Sequence, residues 1–304
     1  MFGEVLVGVD GRPGGRDAIA LATQLMEPGA HLTLARVYGG NLLCSSGAAP
    51  ALAAGRKESE QLLARERADA SLDVELATYA APSVGRGLHE LAERHSADLL
   101  VVGSCHRGML GRVLLGDDTL AALNGAPCAI AIAPNGYAEM PHGLGNVGIG
   151  YDASPESHQA LAAARALAER HGSTIRALSV VSLQSIPYGE PIPVGWPQIA
   201  AGLVDDELKR FHDVDDVVGD ATYGEPSEEL ARFGDELDLL IVGSRGYGPI
   251  GRLFNGSTSN YLARRARCPL LVLPRTAAAG DEPADIGDRS DAERGQPRKT
   301  EELA

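Results

Sequence analysis

The sequence predicts an α/β fold: two tandem five-stranded parallel-sheet domains with helices on both faces. Three observations carry this. The chain has 304 residues, about twice the size of an ordinary single domain. It is 44% apolar but only 4% aromatic, so its cores are built from Ala, Val, Leu and Ile, as where parallel strands lie under helices. The segment from Ala97 to Pro134 also recurs as Leu237 to Pro274, without a gap and with about a third of its positions identical.

The elements follow in order from this repeat. In the first copy, short Val/Ile/Leu runs place strands near 4–10, 31–38, 72–79, 98–104 and 128–133. Stretches of helical periodicity between them place helices near 14–27, 51–68, 83–95 and 117–124. The second copy gives strands near 146–152, 174–182, 216–223, 238–244 and 269–274, with helices near 155–171, 198–212, 226–235 and 257–266. The domains are therefore expected at 1–135 and 146–275, each folding by itself, joined by a Pro- and Gly-containing linker at 136–145. The charged stretch 276–304 has Ile286 and Leu303 as its only large apolar residues and is expected to be disordered.

Charge and composition narrow the function. A net charge of −14 excludes a general nucleic-acid binder, whose affinity comes from basic surface. No apolar stretch reaches the length of a membrane span, and the start MFGEVLVGVD runs straight into a strand, so a cytoplasmic protein is expected. Cys44, Cys105, Cys128 and Cys268 show no metal-ligand spacing and read as reduced thiols. No enzyme motif is intact: the three lysines lie outside glycine loops, and no Gly-x-Ser-x-Gly elbow is present. Gly143-Leu-Gly145-Asn-Val-Gly148 matches GxGxxG but enters a strand instead of following one, so it is not read as a dinucleotide site.

The residues suited to ligand chemistry follow the fourth strand of the second copy. Gly243-Ser-Arg245-Gly246 is followed by Gly256-Ser257-Thr258-Ser259 opening a helix. Side-chain-free glycines let backbone approach a ligand, and the start of a helix offers N–H groups and a positive dipole end to an anion. The hydroxyls of Ser257, Thr258 or Ser259 are expected to cap that helix or bond phosphate oxygens. The plainer alternative is a turn with an N-cap; Arg245 is either a phosphate contact or an exposed loop charge.

The pattern GX2GX9G(S/T) at the end of the fourth strand of a five-strand α/β unit resembles the nucleotide motif of the universal stress protein family, over about residues 1–275 in two copies. That resemblance implies a strand order of 3-2-1-4-5 and an adenine nucleotide at the carboxyl ends of the strands. ATP, with or without Mg2+, is the implied ligand, with cyclic AMP as an alternative. It implies phosphate and ribose contacts from Gly243, Gly246, Gly256 and Ser257, with Thr258 and Ser259 nearby. Asp152 is similar to the family's acidic residue beside the adenosine, unless it only caps the next helix, and Val180 to its adenine-contacting backbone position. The first copy keeps Asp10, Val37, Gly103 and Gly116 but has His106 for the second glycine and Asp117 for the hydroxyl. A carboxylate at a helix start satisfies the dipole itself and repels phosphate, so the first site is expected not to bind ATP.

The resemblance further implies pairing of the two copies through their last strands, Cys128 to Ala133 against Pro269 to Leu273, and is compatible with a homodimer. The expected role is a stress-response regulatory module that binds its nucleotide, with slow hydrolysis by water at most incidental. The rival is a nucleotide-free scaffold for protein interactions.

Overall fold

A computed structural model describes residues 1–40, 43, 47–70, 73–104, 122, 124–140, 143–182, 195–211, 214–244 and 256–274. Most of the expected helix at 117–124, most of the loop Gln184 to Pro197 and all of the tail 276–304 lie outside these residues.

In the first repeat the chain forms β1 (Glu4–Gly8), α1 (Pro13–Leu25), β2 (His31–Gly39), α2 (Ala49–Ala70), β3 (Glu75–Ala81), α3 (Val84–Arg94), β4 (Leu99–Gly103) and β5 (Ala129–Ala133). The second forms β6 (Asn146–Gly150), α4 (Pro155–His171), β7 (Thr174–Val181), α5 (Trp196–Phe211), β8 (Val217–Tyr223), α6 (Pro226–Phe233), β9 (Leu239–Gly243), α7 (Ser257–Arg265) and β10 (Leu270–Leu273). These bounds fall within a few residues of those expected from the apolar runs. The largest difference is at the strand expected at 72–79, which runs from Glu75 to Ala81; at 226–235 the helix stops at Phe233 and a 3-10 turn covers Gly234–Glu236.

Each repeat orders its strands as 3-2-1-4-5, and every pairing within a repeat is parallel. The two sets join as one ten-stranded mixed sheet, because β10 runs antiparallel to β5 with Leu270 opposite Ile132, Leu271 opposite Ala131 and Val272 opposite Ile130. Position in the sheet explains composition. The inner strands β5 (AIAIA) and β10 (LLVL) are buried throughout, whereas the edge strand β8 (VVGDATY) alternates exposed and sheltered residues.

Successive residues of the central strands point to opposite faces. One face gathers Val5, Val7, Leu99, Val101, Val147 and Ile149 with α1, α4 and the ends of α2 and α5, Leu63 and Phe211. The other gathers Leu6, Leu100, Val102, Ile130 and Val272 with α3, α6 and α7. Both cores run through both repeats, so the two independently folding domains expected from the repeat share their packed interior here. The linker contributes to this: Tyr137 and Leu144 are buried with the first-face core.

Two polar contacts fix the junction. Asp17 of α1, 2% exposed, accepts hydrogen bonds from the N–H groups of Gly136 (2.9 Å) and Ala138 (2.8 Å), holding the linker turn against α1. Gly136 sits there at φ 79°, a conformation that glycine adopts without the Cβ penalty of other residues. From the second repeat, Arg170 at the end of α4 donates to the carbonyls of Met26 (2.6 Å) and Gln24, satisfying the carboxyl end of α1.

Cys128 and Cys268 begin the last strand regions of the two repeats and are free, buried thiols. Desolvation pushes both up from 9.0 to about 12. A folded pKa above the unfolded one means that these thiols favour the fold fully below about pH 9, and that this contribution is lost as the pH rises through 12. In a chain carrying Cys44→Ser and Cys105→Ser, Cys128 and Cys268 should therefore resist a thiol reagent at pH 8 until denaturant is added; prompt reaction of both in the native chain would contradict their placement. Asp17→Ala strands the buried N–H of Gly136 and the partly buried N–H of Ala138 and should lower the unfolding free energy by about 2 kcal/mol in urea titration. An unchanged midpoint would show that the linker turn does not rest on Asp17.

Candidate functional site

Beyond the carboxyl ends of β6, β7 and β9 lies a cleft of about 500 Å3. It sits where the chain's connections diverge, β6 leading outward to β7 while β9 lies on its other side. Adjacent strand ends with diverging connections leave such a crevice in open α/β sheets.

The floor is made by Gly150, Leu178, Val180, Val242 and Gly243, the last residues of the strands. One wall is the turn from Tyr151 into the first turn of α4. There Asp152 accepts hydrogen bonds from the N–H of Ser154 (3.1 Å) and its hydroxyl (2.5 Å), while Ser154 caps α4 by accepting from the N–H of Ser157 at 3.2 Å. The cap reading of Asp152 is thus corrected: it shapes the turn before the helix, and Ser154 is the cap. The first repeat has the same turn, with Asp10 accepting from the N–H of Arg12 at 3.0 Å, but no side chain caps α1.

Gly243 is required by packing before any ligand is considered. A Cβ there would lie 2.5 Å from Cβ of Glu156 and 2.9 Å from its carbonyl oxygen, because the first turn of α4 crosses directly over the end of β9. In the first repeat a Cβ at Gly103 would strike the carbonyl of Gly14 in α1 in the same way. The close helix-on-strand contact therefore explains the first glycine in both repeats.

The opposite wall is the start of α7, where Gly256, Ser257, Thr258 and Ser259 all line the cleft. Gly256, at φ −66° and ψ 158°, occupies the cap position, and no side chain caps the helix. The expected hydroxyl cap is thus absent: Ser257 is the first helical residue, and the buried Ser259 hydroxyl donates to the carbonyl of Gly256 at 3.1 Å. The φ of Gly256 is open to any residue, so its contribution is the missing side chain at the mouth of the cleft. The consequence is a helix N-terminus whose backbone N–H groups and positive dipole end are presented to the cleft.

Asp152, Val180, Gly243, Gly256, Ser257, Thr258 and Ser259 are thus brought together around one cleft. Arg245 and Gly246 lie outside the described residues, as do His106, Gly116 and Asp117 in the first repeat; Asp10, Val37 and Gly103 hold places on β1–α1, β2 and β4 that correspond to Asp152, Val180 and Gly243. Residues missed from the sequence are Ser154, Glu156, Ser157 and Ser182. The repeated acidic turn before each helix is the signal that pointed toward the first three. Among the described lining residues the charges are the carboxylates of Asp152 and Glu156, with no lysine or arginine.

A mostly parallel, doubly wound sheet with a small-residue cleft at the switch point of each wound half defines a class of α/β domains. Residues 1–134 and 144–274 each match the profile of the universal stress protein family. The chain belongs to that family, in its tandem form. A universal stress protein of Mycobacterium tuberculosis is 30% identical over 236 residues, covering 73% of this chain and 79% of that protein. A second from the same species is 29% identical over 185 residues, 59% of this chain and 62% of that protein. Among solved structures, a universal stress protein from Archaeoglobus fulgidus shares the fold with a TM-score of 0.64 at 18% identity, covering 90% of this chain and 98% of that one. No helix of the described residues is long and apolar enough to cross a membrane.

Gly243→Ala tests the packing explanation. The methyl group must displace the first turn of α4, so the variant should lose about 1–3 kcal/mol of stability whether or not any ligand is present. Full retention of stability would mean that this glycine serves only a ligand.

Proposed function

We propose that this chain is an adenine-nucleotide-binding regulatory module of the stress response, holding one ATP in the cleft of the second repeat. The observation that carries the reading is the uncapped N-terminus of α7 facing a cleft of nucleotide size at the carboxyl ends of the strands. In this reading the N–H groups of the first turn of α7 and the hydroxyls of Ser257 and Thr258 take the phosphates, Asp152 takes ribose hydroxyls, and the backbone at Val180 faces the adenine. Arg245 and Gly246, on the same loop, complete the phosphate side.

The charge balance makes the site dependent on a cation. Asp152 and Glu156 add negative charge to a cleft that must hold a triphosphate, and a helix terminus supplies only about half a unit of positive charge. Mg2+ bound to the phosphates would offset the repulsion. The set of groups suits holding a charged ligand rather than turning it over, so the chain acts by binding, and its output is the surface that nucleotide binding orders around α7. The first repeat, with Asp117 where Ser257 stands, is the silent partner.

Calorimetric titration with ATP, ADP and cyclic AMP tests this. One ATP site per chain is expected. Ser257→Asp, which copies the first repeat, should weaken ATP at least tenfold, about 1.4 kcal/mol; Asp10→Ala should leave it unchanged, and EDTA should weaken ATP more than cyclic AMP. Absence of binding by any of the three, in protein freed of carried-over ligand, would overturn the proposal and leave the scaffold reading.

A further inference from the structure

Both repeats pass from their first strand into the next helix through an acidic turn with one residue in the left-handed region. In the first repeat that residue is Gly11 at φ 78°; in the second it is Ala153 at φ 59°. A left-handed alanine sets its Cβ against the following carbonyl, so it persists only where its surroundings over-determine it. Those surroundings differ between the repeats: Tyr151, Ser154 and His158 stand where the first has Val9, Arg12 and Arg16. Ser154 ties itself to Asp152 through its N–H and its hydroxyl, and its hydroxyl accepts from the N–H of Ser157. Nδ1 of His158 lies 2.8 Å from the carbonyl oxygen of Ser154. A carbonyl only accepts, so Nδ1 is the donor there. Nε2 of the same ring faces the Tyr151 hydroxyl at 3.3 Å, and the two rings meet at 61° with centroids 5.5 Å apart. Phe211, buried at the end of α5, backs the Tyr151 ring at 5.4 Å. Tyr151 and His158 thus bracket Asp152, Ala153 and Ser154, from the residue before the turn to the first turn of α4.

We infer that Tyr151 and His158 are positioning residues for Asp152. They hold Ala153 in its strained conformation and so fix the carboxylate at the cleft wall, where it selects a nucleotide carrying sugar hydroxyls over one whose sugar lacks them. A carboxylate already fixed accepts from a hydroxyl with little further ordering cost, and a ligand without the hydroxyl forfeits that bond. The first repeat lacks this arrangement. Its turn rests on a glycine, and its carboxylate, Asp10, has the Arg12 guanidinium 3.6 Å away, an ion pair that a serine at the same place does not make. The bracket stands on the geometry of the turn alone; the choice of sugar rests on the nucleotide reading above.

Tyr151→Phe and His158→Phe, made in the full chain, keep the rings and remove the bonds between them and the turn. Without ligand, the amides of Ser154 and Ser157 should exchange with solvent at least about threefold faster in either variant, read residue by residue by NMR, because opening of the turn exposes them. By calorimetry, the preference for ATP over 2′,3′-dideoxy-ATP should fall about fivefold in either variant. Adding Ala153→Gly, which copies Gly11, should restore most of that preference, since glycine holds the turn unaided. Unchanged amide exchange would overturn the bracket, whatever the chain binds. Faster exchange with an unaltered sugar preference, or a loss that Ala153→Gly leaves untouched, would overturn the positioning role. A wild-type chain that binds no nucleotide would overturn the nucleotide reading and the sugar preference together, while the exchange rates still decide the bracket.

Discussion

The antiparallel pairing of β5 with β10 is the contact on which the rest of this architecture depends. Five parallel strands end in an edge, and an edge as apolar as AIAIA or LLVL exposes both unpaired backbone groups and side chains. Joining the two edges removes both costs at once. It also explains why the strands outermost in each repeat's sequence order are the most deeply buried of the sheet, and why both core clusters cross the boundary between repeats. Asp17, Tyr137 and Arg170 are the secondary ties that such a junction requires where the linker and the helix ends cross it.

With the sheet fixed, the cleft follows from two close approaches. The first turns of α1 and α4 lie so tightly on the ends of β4 and β9 that only glycine fits beneath them. This brings the acidic turn at Asp152 and the first turn of α4 to one side of the strand ends, while β9 delivers the chain toward α7 on the other. A glycine at the cap leaves the first N–H groups of α7 without a side-chain acceptor, at a cost of roughly 0.3 kcal/mol relative to serine or aspartate. This arrangement is intelligible if a ligand completes the helix. The first repeat keeps the corresponding glycine, Gly116, and has Asp117 where the second has Ser257.

Most of the fold was legible because it is written twice. Uninterrupted runs such as LLVV and LLIV predict strands buried on both faces, and the gapless repeat makes each prediction support the other. What periodicity could not supply was the relation between repeats: two Val/Leu-rich last strands carry no directional signal, and their pairing was expected from family resemblance alone. The apolar Tyr137 and Leu144, embedded among glycines and prolines, were a local hint that the linker is part of the core.

The site was legible where glycine and hydroxyl residues cluster, at 243 and 256–259, and less so where it is assembled from ordinary turn residues. Ser154 and Ser157 look like any helix start, and Glu156 becomes a site residue only because α4 crosses β9. Two residues also have structural duties that spacing alone does not distinguish from ligand contact: Gly243 makes room for the first turn of α4, and Gly256 stands at the cap position of α7. The central claim is that one cleft, in the second repeat, holds the nucleotide, and a crystal structure of the chain grown with Mg2+ and a non-hydrolysable ATP analogue tests it most directly. The account predicts one analogue per chain, its phosphates at the N-terminus of α7 and its base near Val180; density in the first repeat, or a second-repeat cleft empty at saturating ligand, would contradict it.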